Sequence, residues 1–213
     1  MRTPRRFERR AFLFSLVVLL LSLAGRARAQ NQFVNPEFDN AQLNGGWTLL
    51  FGQNFDWTGV DADDCPESGA AQLPSSTTDV GTQYAQAAQC IPIDSVTWPD
   101  GAHIAFSYSS LDAERVYPIL MYYTSEDCGQ SGGTQVGIHY LDGPVGPGWQ
   151  RAVFDDFEIP VTAQSVWAGI GAEAATVTPI ELLFDRAWLG KESPVFVDDF
   201  ERGAFCRWSL TAP

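Results

Sequence analysis

The side chains best suited to recognition in this chain are aromatic and acidic rather than nucleophilic. The sequence has seven tryptophans, six tyrosines and 26 acidic residues, but only two histidines, His103 and His139. It contains no zinc-type ligand spacing, no HExxH motif and no GxSxG motif. A hydrolytic triad is therefore not expected, and we interpret the protein as a non-enzyme.

Trp167 is the first candidate for ligand binding. It lies in a run, 165–172, where small apolar residues alternate with Trp167, Gly169 and Gly171. Two residues without side chains would leave a recess beside a flat ring, and sugars stack on such rings. If a sugar binds there, Trp167→Ala should weaken binding by about 1 to 2 kcal/mol; the structural alternative is a tryptophan packed under a loop. Further candidate platforms are Tyr117, Tyr123, Trp98 and Trp57.

Paired carboxylates suggest a second chemistry, since glycoside hydrolases hold two carboxyl groups about 5 to 9 Å apart. Asp155, Asp156 and Glu158 form one acidic cluster, and 198–201 contains another. Neither cluster has the aromatic and basic neighbours that usually line a hydrolase cleft. We interpret both as acidic surface and keep a small jelly-roll hydrolase as the less favoured alternative.

Short β-rich runs separated by glycine and proline turns make up most of the chain, and helical periodicity is missing. This spacing predicts an all-β, antiparallel β-sandwich of the jelly-roll type. The run 116–125 is apolar on both faces, so its second face needs a loop, a partner or a ligand to cover it. The predicted strands span 47–51, 56–60, 70–73, 85–93, 103–111, 116–125, 134–141, 150–159, 165–172 and 180–189.

The first 29 residues have the layout of a signal peptide: a basic start, the apolar run 11–24 and a small-x-small site at 27–29. The apolar run is shorter than the roughly 20 residues that span a bilayer, so no membrane span is expected after cleavage. Arg9 and Arg10 also match the twin-arginine pattern, which leaves the export route open. We predict a secreted, periplasmic or cell-surface protein.

Removal of the leader takes away seven arginines and one glutamate, which leaves six basic and 25 acidic residues and a net charge of −19. Such an acidic chain is a poor partner for nucleic acid and repels polyanions. The remaining 184 residues are enough for one domain with its own core. We expect that domain to be monomeric.

Four cysteines follow the leader: Cys65, Cys90, Cys128 and Cys206. An even count in an exported chain indicates two disulfides, with three connectivities available. We favour Cys65 with Cys90 because these residues flank one predicted hairpin. The sequence alone leaves all three pairings open.

Several motifs in order resemble the CenC-like carbohydrate-binding modules, which are galactose-binding-like jelly rolls. The opening Asn35-Pro36-Glu37-Phe38-Asp39 with Gly46-Trp47 resembles the first motif of that family, and 184–189 resembles its closing strand. The matches between them are 68–71, 89–93 and 148–149. The resemblance covers about 32–190 and implies a non-catalytic module that binds a polysaccharide or another glycan.

The resemblance also implies a structural calcium ion between the first and last strands. Carried over by position, its acidic ligands would be Asp39 and Asp185. Arg186 stands where the family often has a second acid. Some relatives are spacers without a sugar ligand, so an extracellular structural or protein-interaction domain is the alternative function.

The last segment, 191–213, resembles a DxFExGxxxxWS tail of secreted bacterial proteins and echoes the opening motif of this chain. A sorting or surface-association tag, the remnant of a second module and a structural appendage are the three interpretations. The predicted organisation is therefore a signal peptide (1–29), a carbohydrate-binding-like β-sandwich (30–190) and this tail (191–213).

Overall fold

The computed structural model describes residues 31–36, 38, 46–62, 69–75, 81–176 and 178–191, and these residues form ten β-strands. The described ranges contain no helix, and therefore none that could cross a membrane. The predicted leader and nearly all of the predicted tail lie outside the described residues. The strands are β1 (Trp47–Phe51), β2 (Asp56–Thr58), β3 (Ala70–Pro74), β4 (Gln83–Pro92), β5 (Ala102–Leu111), β6 (Arg115–Tyr123), β7 (Gln135–Tyr140), β8 (Gln150–Phe157), β9 (Ser165–Ala174) and β10 (Glu181–Gly190).

The strands form two five-stranded sheets in which all described pairs are antiparallel. Sheet A has the order β1-β4-β9-β6-β7, and sheet B has the order β2-β3-β10-β5-β8. Consecutive strands β3 and β4 lie in different sheets. The prediction of an all-β antiparallel sandwich is confirmed, and every predicted strand overlaps an observed one.

An aromatic cluster at the centre of the core explains the motifs at the two ends of the domain. The ring of Phe184 lies 5.1 Å from the rings of both Phe38 and Trp47, and 6.1 Å from that of Phe106. Phe38 and Phe184 are fully buried. Aromatic pairs at these separations stabilise a core beyond the area that they bury. These motif residues therefore pack in the core and help to hold the sandwich together.

The start of the described chain is fastened to β10. Gln32 donates its backbone N–H to the carbonyl of Leu189, and Ala187 donates to the carbonyl of Pro36. The side chain of Asn31 donates to the carbonyl of Ala187 and accepts from the N–H of Leu189. The first segment and the last strand are thus neighbours, as the resemblance implied.

Sequence pattern and burial agree in β6 but not in β5. In β5, the alternation of Ile104 with Ala105 and Ser107 predicts one buried face. Ile104 does face the core, but the opposite face is also buried, with Ala105 at 0% and Ser107 at 5% exposure. One reason is that Arg151 of β8 extends over this face and donates a hydrogen bond to the Ser107 hydroxyl. In β6 the second face is covered as predicted, since Ile119 is fully buried.

Candidate functional site

The outer face of sheet A is rich in aromatic side chains. Side chains alternate between the two faces of a strand, and the core takes Ala85 and Ala87 of β4 and Val166 and Ala168 of β9. The residues between them must point away from the core. Across the whole sheet, the aromatic residues of this outer face are Phe51, Tyr84, Tyr117, Tyr123, Tyr140 and Trp167.

Gly171 allows two side chains to meet across the central strand of this face. Gln86, Gly171 and Tyr117 form one cross-strand row. Because Gly171 has no side chain, the Gln86 amide crosses it and donates a 2.6 Å hydrogen bond to the Tyr117 hydroxyl. A Cβ at Gly171 would lie 2.8 Å from Gln86 Cγ and 2.9 Å from Tyr117 Cε2. The recess expected here for a ligand is therefore filled by the protein itself.

A cleft lies at one end of the outer face and consists of two adjoining recesses. The first, of about 310 Å³, is bounded by aromatic rings and by the Gln86 amide. The second, of about 570 Å³, is more polar. Both recesses share three residues that form a single cross-strand row, in the order Tyr84, Glu173 and Arg115. The first is lined by Phe51, Tyr84, Gln86, Arg115, Tyr117, Tyr140 and Glu173, and the second adds Thr82, Glu114, Asp142, Gly143, Val145 and Ala175.

Aromatic pairs form the walls of the first recess. The rings of Phe51 and Tyr84 lie 6.0 Å apart on the β1 side. The rings of Tyr117 and Tyr140 meet edge to face at 5.3 Å on the β7 side. Phe51 is 55% exposed and Tyr140 is 43% exposed. Two accessible rings therefore stand on opposite sides of the same recess, which suits the apolar faces of a sugar.

Arg115 organises the polar part of the cleft. Its Nε donates to Asp142, and its Nη1 donates to Glu173 over 3.0 Å. These hydrogen bonds raise the pKa of the Arg115 guanidinium above its ordinary value. The guanidinium also lies 5.0 Å from the centre of the Tyr117 ring, within cation–π range. The carboxylates are thus held in place, with oxygens that are suited to accept hydrogen bonds from ligand hydroxyls.

Tyr117 is the one predicted platform that lines the cleft, and it does so as a hydrogen-bonded floor. It is 3% exposed, and its hydroxyl lies 3.4 Å from Glu173 Oε2. Burial, together with the charge of Glu173, raises the pKa of the Tyr117 hydroxyl. The ring therefore stays neutral across the physiological range and offers little free face for stacking.

Trp167 and Tyr123 lie farther along the same outer face, beside the loop 124–134. The Trp167 indole N–H donates to the carbonyl of Cys128 over 3.1 Å. Tyr123 packs against Gly129, where an added Cβ would come within 2.8 Å of the ring. Both rings are partly covered by this loop, and neither is among the described residues that line the cleft.

The other two predicted platforms have structural positions away from the cleft. Trp98 is 5% exposed and belongs to the core, so it has no open face for stacking. Trp57 is on β2 of sheet B, and its indole N–H donates to the carbonyl of Phe38 over 2.8 Å. The five predicted platforms are therefore not brought together.

The disulfide pairing differs from the favoured one, because Cys90 is bonded to Cys128. Cys65 with Cys90 assumed a hairpin of neighbouring strands, but β3 and β4 lie in different sheets. Cys90 lies opposite Trp167 on the outer face of sheet A, where the loop 124–134 brings Cys128 to it. Cys65 and Cys206 lie outside the described residues.

The predicted calcium site is only half within the described chain. Asp185 is 1% exposed and accepts the N–H of Arg186 over 2.7 Å, whereas Asp39 lies outside the described residues. No group of three His, Cys, Asp or Glu side chains suited to a metal occurs within the described ranges. Because Asp39 lies outside the described residues, calcium binding by Asp39 and Asp185 stays a prediction.

Comparisons with solved structures identify the fold. A carbohydrate-binding module of the β-sandwich superfamily, described for its promiscuous specificity, has a TM-score of 0.53 and 13% identity, covering 76% of this chain and 62% of that chain. The chain has the fold of these modules. The enzymatically active domain of tailspike protein 4 from bacteriophage CBA120 has a TM-score of 0.50 and 17% identity, covering 75% of this chain and 21% of that chain. A family 61 carbohydrate-binding module in complex with β-1,4-galactotriose has a TM-score of 0.48 and 13% identity, covering 77% of this chain and all of that chain.

Sequence comparisons add no closer relative. No protein-family model matches the sequence, and no curated protein matches it. Identities of 13% and 17% show the carbohydrate-binding-module fold alone. The ligand must therefore be argued from the cleft.

Sequence reasoning predicted Tyr117 alone among the lining residues; it missed the aromatic residues Phe51, Tyr84 and Tyr140 and the polar and charged ones, including Arg115, Asp142 and Glu173. Phe51 and Tyr84 belong to strands that are adjacent in the sheet but far apart in the sequence. Tyr140 is on the edge strand β7, two residues after the exposed Ile138. In the sequence, apolar residues that alternate in this way predict a face turned towards the core, so no local signal placed Tyr140 on an open face.

Proposed function

We propose that the protein is a secreted, non-catalytic carbohydrate-binding module that binds a glycan in the cleft of sheet A. The supporting observation is the placement of Phe51 and Tyr140 on opposite sides of the first recess, which adjoins the second recess with its carboxylates Asp142 and Glu173. Aromatic faces take the C–H surface of a sugar ring, and carboxylates accept hydrogen bonds from its hydroxyls. The module fold agrees with this function, although fold alone does not supply it.

A binding role explains the carboxylates of the cleft better than a catalytic one. Asp142 and Glu173 both line the second recess, and two carboxyl groups in one recess are what the alternative interpretation, a glycoside hydrolase, would require. Each of them, however, accepts a hydrogen bond from the same Arg115 guanidinium, and Glu114, the third carboxylate of this recess, accepts the backbone N–H of Ala175. A retaining or inverting hydrolase needs one carboxyl group free to deliver a proton to the glycosidic oxygen. We therefore assign these two side chains to binding.

The test is a glycan array and an insoluble-polysaccharide pull-down on residues 30–213, with and without calcium. Saturable binding to one class of sugar is the expected result. In the same assay Tyr140→Ala should weaken binding by about 1 to 2 kcal/mol, or roughly five- to thirty-fold, through the loss of one stacking surface. Trp167→Ala is the matched control, since Trp167 is an aromatic of the same face outside the cleft lining, and its effect should be smaller.

Three results would contradict this proposal. A folded sample that binds no glycan would favour the structural or protein-interaction alternative. Release of reducing ends from a bound polysaccharide, lost in Glu173→Gln, would favour the hydrolase. A larger loss of affinity for Trp167→Ala than for Tyr140→Ala would move the site towards the loop 124–134.

A further inference from the structure

The charges that line the cleft are strongly unbalanced. Glu114, Asp142 and Glu173 provide three carboxylates, and Arg115 provides the one cationic side chain among the described lining residues, which leaves a net charge of −2. The rest of the chain reinforces this sign, because the net charge of the whole sequence is −13. A negatively charged ligand entering the cleft would meet repulsion at short range.

The cation of the cleft is already engaged by the protein itself. Arg115 donates to Asp142 through Nε and to Glu173 through Nη1, while its guanidinium lies over the Tyr117 ring. Two of its five N–H donors are thus taken, so a ligand carboxylate would compete with Asp142 and Glu173 for the guanidinium. It would also meet the charges of these two carboxylates at short range.

A neutral glycan meets neither obstacle. Sugar hydroxyls are hydrogen-bond donors, and the carboxylates offer acceptor oxygens beyond those that bond to Arg115. Gln86 adds an amide whose position is set by its hydrogen bond to Tyr117. The cleft therefore combines stacking surfaces with acceptors for hydroxyl groups and offers no unengaged cation to an acidic sugar.

We propose that the cleft selects uncharged glycans over anionic ones, and that Asp142 and Glu173 are the residues that set this selection by engaging Arg115. This inference rests on the proposed carbohydrate-binding function. It adds a residue-level basis for specificity: removal of the two carboxylate charges should convert Arg115 into a receptor for acidic sugars.

The test compares each neutral polymer with its own carboxymethylated form, which keeps the same sugar backbone and adds charged substituents; the salt dependence then separates the effect of charge from that of size. Hydroxyethylcellulose, β-1,4-galactan and arabinoxylan are suitable probes, measured by native affinity electrophoresis at low salt. We expect the wild-type protein to bind the carboxymethylated form of its preferred polymer at least ten-fold more weakly, which is about 1.4 kcal/mol. Raising the salt to about 1 M should reduce this difference, because the Debye length falls to about 3 Å.

The double variant Asp142→Asn/Glu173→Gln should remove or reverse the difference. Its matched control is Asp100→Asn/Asp156→Asn, which lowers the total negative charge equally at exposed positions that do not line the cleft. The single variant Glu114→Gln removes a cleft charge and keeps both Arg115 ion pairs, so it tests the charge effect without disturbing the guanidinium. It should reduce the discrimination at least two-fold.

The outcomes separate the two proposals. If no neutral polymer binds to folded protein, the proposed function fails and this inference fails with it. If neutral and carboxymethylated forms bind equally well, the glycan-binding function stands and the selection proposal is overturned. An equal change in the Asp100→Asn/Asp156→Asn control would show that overall charge, and not the cleft, decides the discrimination.

Discussion

Removal of the Cys90–Cys128 disulfide should destabilise the domain substantially. The bond joins residues that are 38 positions apart in the sequence. In the chain-entropy account, a cross-link that closes a loop of this length stabilises the folded state by about 4 kcal/mol at 25 °C. For a domain of this size, 1 kcal/mol corresponds to about 2–4 °C, so the expected loss in Tm is roughly 8–16 °C.

The perturbation is the double variant Cys90→Ala/Cys128→Ala, measured by urea unfolding and by thermal unfolding under non-reducing conditions. The loss of stability should also affect the outer face of sheet A, because the loop 124–134 supplies the carbonyl that accepts the Trp167 indole N–H. The contribution of Trp167 to the tryptophan fluorescence, taken as the difference from the same protein carrying Trp167→Phe, should therefore report greater solvent access before the global transition. Peptide mapping of the wild-type protein should recover Cys90 linked to Cys128.

Two results would refute this reasoning. A double variant whose free energy of unfolding lies within about 1 kcal/mol of wild type would show that the link does not restrict the unfolded chain as assumed. A peptide map in which Cys90 is joined to a cysteine other than Cys128 would show that the pairing itself is wrong. A useful reference is Cys90→Ala alone, which opens the same loop but leaves one thiol free.

Three further predictions concern single residues. Gly171→Ala should destabilise the domain by about 1–3 kcal/mol in urea unfolding, because the new Cβ would lie within 3 Å of Gln86 and Tyr117; unchanged stability would mean that these side chains move aside freely. Burial raises the pKa of Tyr108 to about 12, so above pH 10 the unfolded chain releases this proton first and stability should fall between pH 10 and 12. Tyr108→Phe should flatten that decline in alkaline unfolding, and an unaltered slope would assign the decline to other groups. If calcium binds at the predicted site, it should raise the Tm of the wild-type protein and not that of Asp185→Asn, as measured by thermal unfolding with calcium or a chelator; an equal response in both would remove Asp185 from the site.

The positions of the strands could be predicted from the local sequence. Each of the ten predicted runs overlaps an observed strand, because side chains in strands alternate with period two and glycine or proline punctuates the turns. The motif residues Phe38, Trp47 and Phe184 were also identified from the sequence, and they meet in the core. Their role there is packing, which is determined by apolar character and needs no partner of defined chemistry.

The disulfide and the cleft required the tertiary structure, and the reason is the strand order. Cys65 with Cys90 seemed a short closure because 70–73 and 85–93 resembled a hairpin, yet the two strands belong to opposite sheets. The cleft depends on the same kind of information. Tyr84, Glu173 and Arg115 come from three separate strands, and only the register β4-β9-β6 places them in one row.

What the sequence determined by itself is therefore the class of fold, the strands and the acidic, aromatic character of the chain. What only the tertiary structure decided is which of those aromatics and acids share a surface. Periodicity reports the face to which a side chain points, and that property is local. Which residues become neighbours across the sheet depends on its strand order, β1-β4-β9-β6-β7. That order is set by contacts between segments that are distant in the sequence, so no local pattern predicts it.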